Sequence, residues 1–420
     1  MKFYIKFTLI FLLITLFSQL LKGENNINGI YPTPGEISIV ASTPIPPGVS
    51  STRQSYLDLI NCGFNLGMES GSLDYFKKEF SLLKGLNFKY LIQNGDITTS
   101  KRDIFINAFK DNENFAGWKF WDEPHYDDLE SISQKYKSLF ETYPNKLIYI
   151  NLVGVTNKLF TGPFSTLPEY LEYFNQLIAP EIWSFDFYPI LIRNGKLQVD
   201  YDTFFYDLET FSKISKKTNR PFWSYCETLA MGFVNNSVQY PAATIPYLRF
   251  EAFSALAYGA QGIVYWTYGQ RKSNDKENYY SALVNLNGKK TSSWYAAQKV
   301  NNEIKRFNNV FYNCNVLEVR HTGDKLYKGT RKLSGEFGPI KMLRSREAGV
   351  LISRIENNGE YYIVIVNHDV FNKQKITIEL KPNVIIEDIT LPKTKQYSWR
   401  KDININLDKG GYILLHEYKN

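Results

Sequence analysis

Cysteine is scarce here, with only Cys62, Cys226 and Cys314 in 420 residues. An odd, sparse set does not describe a disulfide scaffold, so a large core must hold the fold. Histidine numbers four, and only His125 precedes residue 308. No HExxH and no His-x-His pair occurs, which disfavours metal hydrolysis. A serine nucleophile lacks its GxSxG elbow. Nucleotide binding lacks a phosphate loop. Neither a metal nor a cofactor is expected. The charge excess is small, 49 Lys and Arg against 42 Asp and Glu. That is too little, spread over such a chain, to suggest nucleic acid as a partner.

Long apolar runs are missing after the first 23 residues. Within them, Lys2 and Lys6 precede FTLIFLLITLFSQLL, and polar GENNING follows. The run is short for a membrane span and reads as a secretory signal. A secreted or periplasmic protein is expected, free of the membrane once residues 1–23 are removed.

Aromatics are abundant, at 16%. They can fill a core or floor a sugar-binding groove. From Ile37 to about Phe307, short runs rich in Ile, Val, Tyr and Phe alternate with stretches whose apolar positions recur at three and four. The first kind reads as strand, the second as helix. Eight such pairs occur, from EISIVAST with TRQSYLDLINCG to GIVYWTYG with SSWYAAQKVNNEIKRF. Strands separated by helices imply a parallel sheet, and eight units close into a (β/α)8 barrel, expected over 24–307. An open doubly wound sheet is the alternative. From 308 to 420 the pattern turns to strands such as GVLISRIE, GEYYIVIVNHD and GYILLHEY, with tight turns at ENNGE and DKGG. This predicts an appended antiparallel β-sandwich. A basic stretch, KLYKGTRKLSGEFGPIKMLRSRE, falls within it and reads as a solvated hairpin or as a contact for an acidic polymer.

In such a barrel the working groups sit where strands end. The third strand ends in Gln93-Asn94-Gly95-Asp96, the fourth in Asp122-Glu123-Pro124-His125, and the fifth reaches Asn151. The sixth carries Asp186 and Tyr188, the seventh ends in Tyr225-Cys226-Glu227, and the eighth carries Trp266. Strands four and seven are three apart on the ring, so Glu123 and Glu227 can face one mouth. Two facing carboxyls suit glycoside cleavage, one protonating the leaving oxygen and the other attacking the anomeric carbon or activating water. Their repulsion helps one of them keep a proton. Each also has a plain structural reading: Glu123 as the acid at a helix start, Glu227 as partner of a basic loop residue. Tyr188 and Trp266 divide between packing and sugar stacking. His125 reads as a loop residue near substrate. Alternation turns Cys226 away from the mouth, as a buried thiol.

The stretches GWKFWDEP, FDFYP, FWSYCET and GIVYWTYG resemble the clan A glycoside hydrolases, retaining (β/α)8 enzymes. ALVNLNGKKTSSWYAAQKVNNEIKRF resembles the end of β-galactosidase-like barrels of that clan. The resemblance implies an oligo- or polysaccharide substrate, with Glu123 as acid/base and Glu227 as nucleophile. It implies that Tyr188 orients the nucleophile and Trp266 floors the subsite of the cleaved sugar. Asn94, Asp122, His125, Asn151, Asp186 and Tyr225 complete the candidate binding residues. A retaining pair stands about 5–5.5 Å apart.

One position departs from the clan's pattern. Asp122 stands where an Asn precedes the acid/base residue; an Asn amide donates to a sugar hydroxyl, whereas an ionised Asp only accepts. Asp122 should also raise its neighbour's pKa. Parity adds a demand: an inward Glu123 sends Lys119 inward too, so either a bulge intervenes or Lys119 has a buried partner. Two other readings stay open. One is a secreted carbohydrate-binding protein without turnover. The other places function in the late β-region, with an exposed aromatic stripe as its signature. GQRKSNDKENYYSALVNLNGKKT, after strand eight, reads as a polar, mobile wall of the cleft, where Arg271 and Lys272 could meet an acidic sugar.

Overall fold

The computed structural model describes residues 32–93, 99–143, 145–154 and 158–418. The expected signal segment and Asn94 lie outside the described residues.

Eight strands close into a parallel barrel in chain order: β1 Ser38–Ser42, β2 Leu66–Glu69, β3 Lys89–Gln93, β4 Phe115–Asp122, β5 Leu147–Val153, β6 Trp183–Asp186, β7 Phe222–Glu227 and β8 Gly262–Trp266. The ring closes because β1 pairs with both β2 and β8. A helix follows each strand: α1 Arg53–Asn61, α2 Leu73–Leu83, α3 Thr99–Phe109, α4 Leu129–Thr142, α5 Leu167–Leu177, α6 Tyr201–Thr218, α7 Ile245–Ala257 and α8 Ser292–Arg306. Local chemistry sets several of their starts. Thr52 and Thr166 form capping boxes with Ser55 and Glu169, which satisfies otherwise orphaned N–H groups. Asn219 ends α6 at φ +52°, a left-handed position that asparagine tolerates.

Alternation sorts each strand between two clusters. Val40, Leu66, Leu91, Leu147, Tyr149, Trp223, Tyr225 and Val264 fill the barrel interior. Ile39, Tyr90, Ile148, Trp183, Phe185, Phe222, Cys226 and Tyr265 belong to the larger core cluster, between strands and helices. All three cysteines are free and buried.

The chain after α8 forms two antiparallel sheets. Six strands run in the order Asn315–His321, Val350–Asn357, Glu360–Asn367, Tyr412–Glu417, Ile385–Asp388 and Lys395–Ser398; three more run Ile340–Arg344, Gln374–Leu380 and Ile403–Leu407. Between the sheets lies an aliphatic core including Ile352, Ile363, Ile365, Ile376, Ile378 and Ile413. The other face of the larger sheet covers the barrel. Phe253 of α7 stacks on Tyr412 with ring centroids 3.5 Å apart, and Ser353 Oγ donates to Ala257 O at 2.7 Å. With the barrel on one side and this sheet on the other, α7 is buried along nine of its thirteen residues. That explains a helix apolar nearly all round. The basic stretch is hairpin-like only at a tight turn closed by Phe337 and Ile340, and its one strand, Ile340–Arg344, pairs instead with Gln374–Leu380. It lines an open hollow of about 1070 Å³ in which Lys341 and Arg344 have acid partners, Glu379 and Asp402.

One further sheet rises beside the barrel mouth. Five short strands order as Glu277–Ser281, Ala230–Phe233, Val238–Tyr240, Ile190–Arg193 and Lys196–Val199. They come from the loops after β8, β7 and β6. The segment after β8, expected to be mobile, therefore contributes a hydrogen-bonded strand. Two of these strands meet at Asn194-Gly195, both at positive φ (+51° and +73°), the conformation a two-residue hairpin turn demands.

Among the described residues no helix is long and apolar enough to cross a membrane, and no cluster of His, Cys, Asp and Glu is arranged to hold a metal.

Candidate active site

The end of β4 breaks its own alternation. Its pairing with β5 shifts between Lys119 and Trp121, a bulge that re-aims the side chains beyond it. Lys119 stays inside the barrel, about 1% exposed, and its Nζ lies 2.8 Å from Asp122 Oδ2. Both solutions to the parity problem are thus present, a bulge and a partner. Asp122 is spoken for by a cation, so its charge near the next residue is partly neutralised. Glu123 then adopts φ +48°, uncommon for a residue with a side chain, while its N–H donates to Asn151 O at 2.9 Å.

Asn151, buried at the end of β5, ties two acids together. Its amide donates to Asp186 Oδ1 at 2.9 Å and to Asp122 Oδ1 at 3.3 Å. Its carbonyl accepts from Ser184 Oγ at 2.9 Å, and Ser184 meets the Tyr149 hydroxyl at 2.5 Å. Tyr149 in turn donates to Tyr225 OH at 3.3 Å. A relay of polar groups from β5, β6 and β7 therefore supports the mouth from below, and Tyr225 belongs to it.

Asp186 stands between the two glutamates. It shares a side-chain hydrogen bond with Glu123, and its charge acts on Glu227 as well. Burial first, then Glu123 and Asp122, push its pKa well above the usual carboxylate range. Glu123 is raised by burial and then by Asp122, against the pull of Asp186, Lys119 and His125. Crowding of this kind favours the protonated form of both Glu123 and Asp186.

Glu227 closes β7, 4% exposed. Its Oε1 accepts from Leu229 N at 2.7 Å, and its Oε2 has no hydrogen-bond partner among the described residues. Burial raises its pKa well above normal; the Leu229 and Thr228 N–H groups oppose this, and Glu251 and Asp186 add to it. Behind it, Glu251 of α7 accepts from Glu227 N at 3.0 Å and from the Cys226 thiol. Burial lifts Glu251 to about 8. Nothing in a strand-end reading points to Glu251, because it reaches the site from a helix.

Tyr188 sees all four mouth carboxyls, Asp186, Glu227, Asp122 and Glu123. The resemblance implies a hydroxyl aimed at the nucleophile; here it donates to Asp186 Oδ2 at 3.5 Å, two residues away in the chain. Its ring meets Tyr240 of the five-stranded sheet at 5.8 Å. His125 is exposed beside Glu123, its ring 5.2 Å from Phe160. Trp266 is half-buried at the end of β8, its ring centre 6.0 Å from Lys119 Nζ and 5.0 Å from the Arg271 guanidinium.

Known proteins resemble this chain in fold and over part of its sequence. The model of glycoside hydrolase family 42, described as β-galactosidase, matches residues 129–307. That span holds Asp186, Tyr188, Glu227 and Trp266 but begins after Glu123. No curated protein matches the chain. Among solved structures, a catalytic mutant of a GH42 β-galactosidase from G. stearothermophilus aligns with TM-score 0.56 and 9% identity, over 94% of this chain and 100% of that one. A putative α-galactosidase from Bacteroides fragilis aligns with TM-score 0.50 and 9% identity, over 92% of this chain and 80% of that one. Of the β-galactosidase from the psychrophilic Marinomonas ef1, 9% identical with TM-score 0.46, the chain spans 59%, and 64% of this chain is covered. The likeness to these structures is one of fold, and the family match supports a glycoside hydrolase.

Proposed function

We propose that the chain hydrolyses O-glycosidic bonds in an oligo- or polysaccharide with retention, Glu123 serving as acid/base and Glu227 as nucleophile. The observation that carries this is the link between strand ends. Asn151 holds both Asp122, the neighbour of Glu123, and Asp186, to which Tyr188 donates. Glu227 pairs in register with Trp266 of β8, which packs with Tyr188 against the barrel-interior cluster. This supports a reading in which groups from β4, β6 and β7 serve one opening. Glu123, raised by burial and by Asp122, is suited to hold the proton that the leaving oxygen needs. Glu227, with Oε2 free of hydrogen bonds among the described residues, has a lone pair to offer the anomeric carbon. Burial raises the pKa of Glu227, and the Leu229 and Thr228 N–H groups, which favour the carboxylate a nucleophile needs, oppose that rise.

Export belongs to the same proposal. The N-terminal segment 1–23 supports delivery to the periplasm or beyond. The hollow in the C-terminal sheets has no aromatic lining, whereas Trp399 and Tyr418 are exposed elsewhere in that region.

The test is a screen of chromogenic glycosides and oligosaccharides with wild type and Glu227→Gln. Turnover by wild type, its loss in the variant with binding intact, and a first-formed product of unchanged anomeric configuration by NMR would sustain the proposal. Binding without turnover in wild type would favour a carbohydrate-binding protein instead.

A further inference from the structure

Beside Trp266, walled by the ends of β1, β2, β3 and β8, lies a second hollow, about 370 Å³ in volume. That falls within the range of small-ligand sites, roughly 300–1,000 Å³. Its walls come from four strand ends and their loops, with Thr43, Pro46, Glu69, Gln93, Trp266 and Arg271 among them. Trp266 and Lys119 join it to the catalytic opening. The Lys119 ammonium pairs with Asp122, lies 6.0 Å from the Trp266 ring, and acts on both Glu123 and Glu69.

Arg271 gives the hollow its character. Its guanidinium lies 5.0 Å from the Trp266 ring centre and 5.6 Å from that of Tyr279, both within cation–π range. Among the described residues no carboxylate hydrogen-bonds or ion-pairs with it. Lys272 adds a second cation at the rim, its Nζ 4.0 Å from where a side chain on Gly48 would begin, and Gly48 lines the hollow. The acid that faces them, Glu69, accepts from Ser70 N at 3.0 Å, and burial lifts its pKa to about 7. It therefore cancels the positive charge only in part at neutral pH. Asp122 is already paired with Lys119.

A guanidinium with no acid partner among the described residues is better matched to a planar or tetrahedral anion, which it binds through charge-assisted, bidentate hydrogen bonds, than to the hydroxyls of a neutral sugar. We propose that this hollow is a subsite for an anionic sugar, and that Arg271 reads a carboxylate or sulfate on the residue adjoining the one cleaved. This rests on the hydrolase reading above and narrows its substrate to acidic oligosaccharides.

The experiment compares wild type, Arg271→Met and Arg271→Lys on matched neutral, uronate-bearing and sulfated oligosaccharides, reading kcat/KM and, in parallel, binding by titration calorimetry. Wild type is expected to favour one acidic series at least tenfold over the neutral one. Arg271→Met should bring that ratio close to one, while Arg271→Lys, which keeps the charge without the fork, should retain part of it. The two acidic arms distinguish carboxylate from sulfate. A preference for neutral substrates, or a ratio that Arg271→Met leaves unmoved, overturns the proposal and leaves the hydrolase standing. If wild type cleaves nothing, the hydrolase reading fails. Calorimetry then decides the subsite: acidic oligosaccharide binding lost in Arg271→Met sustains it, and equal or absent binding of acidic and neutral chains overturns it.

Discussion

Lys119 and Asp122 form an ion pair at 2.8 Å between a residue enclosed by the barrel and one at its lip. The enclosed partner cannot turn to water, so the pair is worth more than a surface contact. Asp122→Ala should cost about 2 kcal/mol by stranding a buried ammonium, less than the fully enclosed limit because Asp122 is itself 40% exposed. Asp122→Asn, whose carbonyl still accepts from Lys119, should cost under about 1 kcal/mol. Urea denaturation of the two variants checks the difference.

The same lysine sets a pH limit. Its charge lowers the pKa of Glu123. Removing it by Lys119→Met lets Glu123 hold its proton to higher pH, so the alkaline limb of kcat/KM should move upward. A limb that moves down or stays in place would contradict Glu123 as the acid.

Glu123→Gln should discriminate between leaving groups. General acid catalysis contributes about 10²–10⁴-fold where the leaving oxygen must be protonated. Natural oligosaccharides should lose turnover by that order, while aryl glycosides with acidic phenols keep much of their first step. Pre-steady-state release of the phenol measures it.

Asp186→Asn removes a negative charge that raises Glu227. The nucleophile then ionises at lower pH, and the acidic limb should shift downward. The amide can still bond to Glu123, so the fold should hold, which a melting curve would verify.

Stability should depend on pH through the interface of barrel and C-terminal sheet. His321 Nδ1 lies 3.2 Å from His368 Nε2, and His321 Nε2 lies 2.9 Å from Tyr258 OH, all buried. Burial lowers both imidazoles, His368 to about 4. An unfolded histidine titrates near 6.5, so between about 6.5 and 4 the unfolded chain binds more protons than the native one. Stability contributed by neutral burial is present above that window and falls as pH drops through it, by on the order of 3 kcal/mol for His368 alone. The raised carboxyls Glu69 and Glu251 act in the opposite sense, so the test is the difference in denaturant midpoint between wild type and His368→Gln, which should shrink from pH 7.5 to 4.5.

Much of this architecture is legible in the sequence because it is local. All eight helices and barrel strands announce themselves through spacing, and seven of the nine C-terminal strands read as β-rich runs. Glu123, Glu227, Asp186 and Tyr188 emerge from the rule that barrel chemistry sits at strand ends. The features that escape depend on pairing between distant segments. The five-stranded sheet joins three separate loops, although Asn194-Gly195 carries a hairpin signal in the sequence. Glu251 reaches Glu227 from a helix, and Glu69 gains its place only when the hollow forms around it. Lys119 shows itself in the sequence as a problem of parity; the bulge that resolves it leaves no mark in composition.

The sheet above the mouth bears on how this barrel could be altered. Changing one βα-loop at a time is the natural way to retarget such an enzyme. Here the strand Ala230–Phe233, following β7, is bonded to Glu277–Ser281 from the segment after β8, and Val238–Tyr240 is bonded to Ile190–Arg193 from the segment after β6. A graft replacing any one of them would leave its neighbours with open backbone edges, so three transplants would have to travel as a single cassette.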